Sequence, residues 1–249
     1  MTQGLQDGNR RTVPEPRLRA VLLRLTVLAG IWAGLVGLLI AAGEFVVHSA
    51  AVTHFDDHVT RTVVSSRTAA LDSTMKLVTW LGSWVALLAA AVVIVVLVIT
   101  RRLPVLAMVV AVLAWAGEAG GVRLGKTVVS RDRPPQAVWL VSAHGWSFPS
   151  GHTAAACLAF TVLALCAATP ASPRAVRILE WLTAGLAIAA TGFSRVELGV
   201  HWTTDVIASV LFVVGWLTAI AILLGGRLRR PEPVLGQAGG RPEPPATSR

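Results

Sequence analysis

The span SRVELGVHWTTD, Ser194 to Asp205, places a basic side chain, an imidazole and a carboxylate close together at the mouth of a long apolar segment. His201 and Asp205 stand four apart. If a helix begins near His201, the two share one face, and the carboxylate can orient or activate the imidazole. Arg195 lies just upstream, beyond a turn at Gly199. Such a pair is also a common structural hydrogen bond, so two further stretches carry the weight. KTVVSRDRP brings Lys126 and Arg133, and FPSGHT brings Ser150, Gly151 and His152 directly before another apolar run. Three cations, backbone donors at a helix start and a second histidine are the parts of a phosphate cradle.

These stretches must be positioned by a membrane protein. Of 249 residues, 54% are hydrophobic and the mean hydropathy is +0.67, too apolar for an ordinary soluble domain. The net charge of +9 would suggest nucleic acid in a soluble chain. Here the arginines gather at the ends of apolar segments, so membrane topology accounts for them and no nucleic-acid partner is expected. Cys157 and Cys166 are nine residues apart in one apolar helix, on roughly opposite faces, and cannot pair with each other.

The expected fold is all-α, a six-transmembrane helix bundle. Residues 1–19 read as a disordered cytoplasmic tail, 20–225 as the membrane domain, and 226–249 as a basic, then Pro/Gly-rich, disordered tail. The spans are expected near 20–42, 81–100, 103–121, 151–168, 178–193 and 201–225. Between the first two, residues 44–80 read as interfacial, with Phe55, Val59 and Val63 on one apolar face, a second short helix from Asp72, and Trp80 and Trp84 as anchors. The N-terminal arginines, Arg101 and Arg102, Arg174 and Arg177, and Arg227, Arg229 and Arg230 then share one side. The positive-inside rule makes that side cytoplasmic, with both termini on it and the signature loops extracytoplasmic. Arg123, Lys126, Arg131, Arg133 and Arg195 break the rule, and binding an anion outside explains them.

With those motifs in view, the chain resembles the type-2 phosphatidic acid phosphatase family of membrane phosphatases. Its signatures K-x6-R-P, P-S-G-H and S-R-x5-H-x3-D are matched at every fixed position, by Lys126, Arg133 and Pro134, by Pro149 to His152, and by Ser194, Arg195, His201 and Asp205. The resemblance implies that His201 attacks phosphorus to give a phosphohistidine and that Asp205 fixes its tautomer. His152 would protonate the leaving oxygen and later activate water. Lys126, Arg133, Ser150, Gly151 and Arg195 would bind the substrate phosphate. No metal and no cofactor are expected, because the cations are side chains and the carboxylate cluster of a magnesium-dependent phosphatase is missing.

The expected substrate is a phosphomonoester or diphosphate lipid: phosphatidic acid, phosphatidylglycerol phosphate or an isoprenoid diphosphate. Two other readings use the same residues: a lipid phosphotransferase working through the same phosphohistidine, and a non-catalytic lipid-binding or transport protein. The sequence is silent on oligomeric state.

Several residues have blander readings. His54 and His58 are spaced as a metal pair, but no third ligand is placed by the sequence, so they read as interfacial. Glu118 is read as pairing with Arg123 or as sitting in the headgroup layer, and Arg123 and Arg131 as touching headgroups. His144 and Trp146 lie near the expected site and match no signature position.

Overall fold

The computed structural model describes residues 15–167 and 172–228, and every regular element among them is helical. In chain order these are α1 (Glu15–His48), α2 (Ala50–Ser65), α3 (Ala69–Val78), α4 (Trp84–Ile99), α5 (Leu106–Val129), α6 (Gly151–Ala167), α7 (Arg174–Glu197) and α8 (Thr203–Leu228). Short 3-10 turns occupy Thr79–Gly82 and Gln136–Val138.

Helix α6 is the centre of the bundle and packs against α4, α5, α7 and α8. Its run from Thr153 to Ala159 is wholly buried, and the side chains there are mostly alanine, which lets neighbouring backbones approach closely. Helix α1 packs on α5 and α8. Two indoles that find acceptors in apolar surroundings fix α5 to its neighbours: Trp32 Nε1 of α1 donates to Gly117 O at 2.8 Å and Trp216 Nε1 of α8 to Ala114 O at 3.1 Å. Val92, Val96, Leu182, Leu186 and Leu211 stay exposed on the outer faces, as expected of surfaces solvated by hydrocarbon.

Among the described residues, four helices are long and apolar enough to cross a bilayer: α1 from Leu18, α5, α7 and α8. Helices α3 and α4, bent by 44° at their junction, make a fifth candidate as a pair. The expectation of six spans exceeds this count. Helix α6 is described over 17 residues, Gly151–Ala167, and residues 168–171 lie outside the described residues. A helix occupies each of the six expected positions all the same.

Three boundaries differ from expectation. Helix α1 begins at Glu15, so residues 15–19 are helical, and α8 continues to Leu228; residues 1–14 and 229–249 of the expected tails lie outside the described residues. Helix α3 starts at Ala69 rather than Asp72, capped by the Thr68 side chain, which accepts from Leu71 N–H at 3.2 Å. Helix α2 turns Asp56 and Thr60 inward, with Val59 and Val63 of the expected face half-buried beside them and Phe55 exposed. Charge pairing at the site outweighs the burial of one phenyl ring.

Candidate active site

Four helix ends meet at one end of the bundle. Helix α5 delivers Lys126 in its last turn and stops at Ser130, whose left-handed conformation (φ 49°) redirects the chain so that Arg131 points inward. Helix α6 starts with Gly151 and His152. Helix α7 ends around Arg195, and Gly199 (φ +73°) turns the chain back toward α8. A side chain at Gly199 would also meet Val138 O at 2.3 Å, so this turn admits only glycine without displacement.

Helix α8 begins at Thr203, so His201 precedes the helix and does not share its face as expected. The link to Asp205 is made differently. Asp205 reaches back over the helix start, and its Oδ2 accepts from Trp202 N–H at 3.0 Å, in the manner of a capping box. The same oxygen meets His201 Nδ1 at 3.3 Å and accepts a short hydrogen bond from Ser147 Oγ. On the far side of the ring, Arg133 Nη1 stands 3.1 Å from Nε2. A guanidinium has only donors, so Nε2 must be the accepting, unprotonated nitrogen and Nδ1 carries the proton toward Asp205. His201 is 2% exposed, and burial pushes its pKa down to about 3, with Arg195 and Arg133 adding to the effect and Asp205 opposing it. The imidazole is neutral at ordinary pH.

The cations are held by main-chain oxygens. Arg133 donates to the carbonyls of Val200 (2.6 Å), Gly145 (2.9 Å), His144 (3.0 Å) and Trp146 (3.2 Å). Lys126 Nζ donates to the carbonyls of Trp146 and Ser147, so Lys126 and Arg133 converge on one oxygen. Arg195 Nη1 donates to Thr79 Oγ1 at 2.8 Å, while its Nε is buried with no partner among the described residues. The carbonyl of Arg195 also accepts from His201 N–H at 3.2 Å, joining two signature positions through the backbone.

Ser150 is fully buried and ties two helix starts together. Its N–H reaches Asp205 O at 3.3 Å, its Oγ accepts from Thr153 Oγ1 at 2.9 Å, and Ser209 Oγ donates to the carbonyls of both Ser150 and Asp205. His152 lies half-buried on the wall of a pocket of ≈ 630 Å³, together with Lys126, Gly151, Trp84, Trp146 and Glu118. His201 is not part of that wall, since Arg133 covers its Nε2. Behind Gly82 the fit is close: a Cβ there would lie 2.4 Å from His152 O.

All eight expected site residues therefore gather at this end of the bundle. Sequence reasoning missed a second layer beneath them. Arg131 is buried, not at the headgroups. Its Nη1 meets Asp205 Oδ1 at 2.7 Å and its Nη2 meets Asp56 Oδ2 at 2.7 Å. Asp56 in turn accepts from Thr204 N–H at 3.1 Å and, by a short bond, from Thr204 Oγ1. Arg131 also lies over the Trp202 ring, 5.3 Å from its centroid. Nothing in HFDDHVT distinguishes Asp56 from Asp57, or predicts that the carboxylate flanked by His54 and His58 is the functional neighbour. Both histidines are exposed, and among the described residues no group of three His, Cys, Asp or Glu side chains could hold a metal ion. Glu118 makes no ion pair with exposed Arg123; it is 4% exposed and faces the pocket. His144 and Trp146 contribute main-chain oxygens, and Cys157 and Cys166 are both free.

The fold and site define a multi-helix membrane protein with a cluster of cationic side chains around a buried, neutral histidine. The chain belongs to the PAP2 superfamily, whose sequence profile matches residues 103–230. It is similar to the crystal structure of the first transmembrane PAP2 type phosphatidylglycerolphosphate phosphatase from Bacillus subtilis. That match has a TM-score of 0.65 and 25% identity over 79% of this chain and 95% of that one. A second match, to the crystal structure of Aquifex aeolicus LpxE, has a TM-score of 0.49 and 24% identity, covering 66% of this chain and 93% of that one. No curated protein sequence matches the chain.

Proposed function

We propose that the protein is a metal-independent membrane phosphatase that hydrolyses lipid phosphates through a phosphohistidine. The observation that carries this reading is the bracketing of His201, with a proton-bearing Nδ1 on Asp205 and an accepting Nε2 against Arg133. The lone pair that attacks phosphorus and the cation that holds the phosphoryl oxygens stand side by side.

On binding, the phosphate exchanges for the carbonyls that hold Lys126 and Arg133, and Arg195 Nε offers a further donor. Ser150 and the Gly151 amide add the donors of a helix start. His201 Nε2 bonds to phosphorus as the P–O bond to the leaving group breaks, and His152, entering the step as the imidazolium that took up the proton of the bound phosphate monoanion, gives that oxygen its proton. Asp205 stabilises the positive ring that forms. In the second half, His152 takes a proton from water, whose oxygen attacks phosphorus and breaks the P–N bond. Inorganic phosphate leaves and His201 returns to its starting tautomer.

The arginines at 101 and 102 and at 174 and 177 lie at the ends of α4 and α7 opposite the site. With the positive-inside rule, that supports a site facing the extracytoplasmic side and both termini in the cytoplasm. The likeness to a phosphatidylglycerolphosphate phosphatase supports a lipid substrate. The test is release of inorganic phosphate from lipid phosphates by purified protein in chelator, compared with His201→Ala. Activity abolished by the chelator, or retained by the variant, would overturn this reading.

A further inference from the structure

The pocket beside His152 has a wall that a phosphate alone does not require. Along one face of α5 the residues Trp115, Glu118, Val122 and Lys126 follow at helical spacing, and all four line it. Lys126 stands at the phosphate end, and Glu118 lies about two turns further into the bundle. Glu118 is 4% exposed, and no hydrogen bond or ion pair holds its carboxyl among the described residues. Beyond it the pocket meets a second, apolar cavity of ≈ 300 Å³ between α4, α5 and α6, which shares Leu87 and Trp115 with the first. The order from the site inward is therefore cations, a lone carboxyl, then hydrocarbon.

A carboxyl in such a place needs a polar partner, whether it is ionised and accepts or protonated and donates. We propose that Glu118 reads the part of the lipid just below the phosphate and makes the pocket selective for a glycerolipid phosphate over a polyprenyl phosphate. A glycerolipid brings ester carbonyls or a hydroxyl to that depth, and its acyl chain continues into the apolar cavity past Trp115. A polyprenyl chain brings only hydrocarbon and leaves the carboxyl buried and unpaired. The discrimination follows the rule that a site built to bond a polar group rejects the analogue lacking it. This inference rests on the phosphatase reading for its substrate class.

The experiment compares dioleoyl phosphatidic acid with farnesyl phosphate, two monophosphates that differ below the phosphate, on wild type, Glu118→Gln and Glu118→Leu. Wild type is expected to favour the glycerolipid in kcat/KM. Glu118→Leu is expected to narrow that preference by roughly 10- to 100-fold, chiefly by loss on the glycerolipid, with Glu118→Gln between. Wild type that handles both lipids equally, or a Leu variant that loses both by the same factor, would overturn the proposal. The same pairs are offered as non-hydrolysable phosphonates, with the shift in melting temperature as readout. If no phosphate is released from any lipid, the phosphatase reading fails, and the phosphonate ratio still decides the role of Glu118.

Discussion

Arg131 bridges two carboxylates from distant parts of the chain, Asp205 at the start of α8 and Asp56 in α2, each at 2.7 Å. Through Asp205 this bridge reaches the proton-bearing nitrogen of His201. Helix α2, outside the residues that match the family profile, thus holds the site in place.

Removing Asp56 should act on both stability and turnover. Asp56→Ala leaves the Arg131 guanidinium buried with only part of its charge balanced, and breaking a buried pair in this way costs about 3–5 kcal/mol. Loss of such an outer partner should also lower kcat by roughly 10- to 100-fold, with KM changing less, because Asp56 does not touch the substrate pocket. Asp56→Asn, which keeps one acceptor oxygen in a side chain of the same shape, should retain more of both. Melting curves and steady-state kinetics on the three proteins check this; an Ala variant with unaltered kcat would remove α2 from the mechanism.

The pH response of His201 has a definite sign. Its folded pKa of about 3 lies below the ordinary value of 6.5, so the folded protein binds fewer protons than the unfolded chain as the solution is acidified. This neutral imidazole costs no stability above pH 6.5 and progressively more below it, on the order of 3 kcal/mol by pH 4. His201→Asn should therefore flatten the fall in melting temperature between those values. In kcat/KM, the acidic limb above about pH 4 should not belong to His201, and product analysis of a quenched turnover at pH 5 should still trap phosphohistidine.

Ser147 supplies one of the hydrogen bonds that aim Asp205 at His201. Ser147→Ala should cost roughly 10- to 100-fold in kcat, the value of one hydrogen bond to a charged carboxylate of about 1.5–3 kcal/mol, with the protein still folded. An effect as large as that of His201→Ala would instead place Ser147 in direct contact with the reacting groups.

Gly82 and Gly199 both admit close backbone approach at the site. A Cβ at Gly82 meets His152 O at 2.4 Å, and one at Gly199 meets Val138 O at 2.3 Å in a left-handed backbone conformation. Gly82→Ala should push the start of α6 and misplace His152, lowering kcat with modest loss of stability. Gly199→Ala combines strain and collision and should destabilise by about 1–3 kcal/mol or more. Thermal melts set beside phosphate release distinguish the two effects.

The chemistry-bearing residues were legible because their types and intervals are local. Lys126 and Arg133 flank one helix end, Ser150 to His152 start another, and Arg195, His201 and Asp205 bracket a single turn. Hydropathy likewise marked the positions of six helices. It gave six spans, whereas among the described residues four helices, or five with the bent α3–α4 pair, are long and apolar enough to cross.

By itself, then, the sequence determined an all-helical membrane protein and the motif residues of its family, since apolar length and motif spacing are properties of neighbouring residues. Only the tertiary structure decided which carboxylate and which arginine stand beneath that set, that His201 precedes its helix, and that Glu118 faces a pocket instead of Arg123. Pairing between Asp56, Arg131 and Asp205 spans about 150 positions, and no local pattern records it. It exists because burying three charges together in a low-dielectric bundle is tolerable only when each is met by its partner.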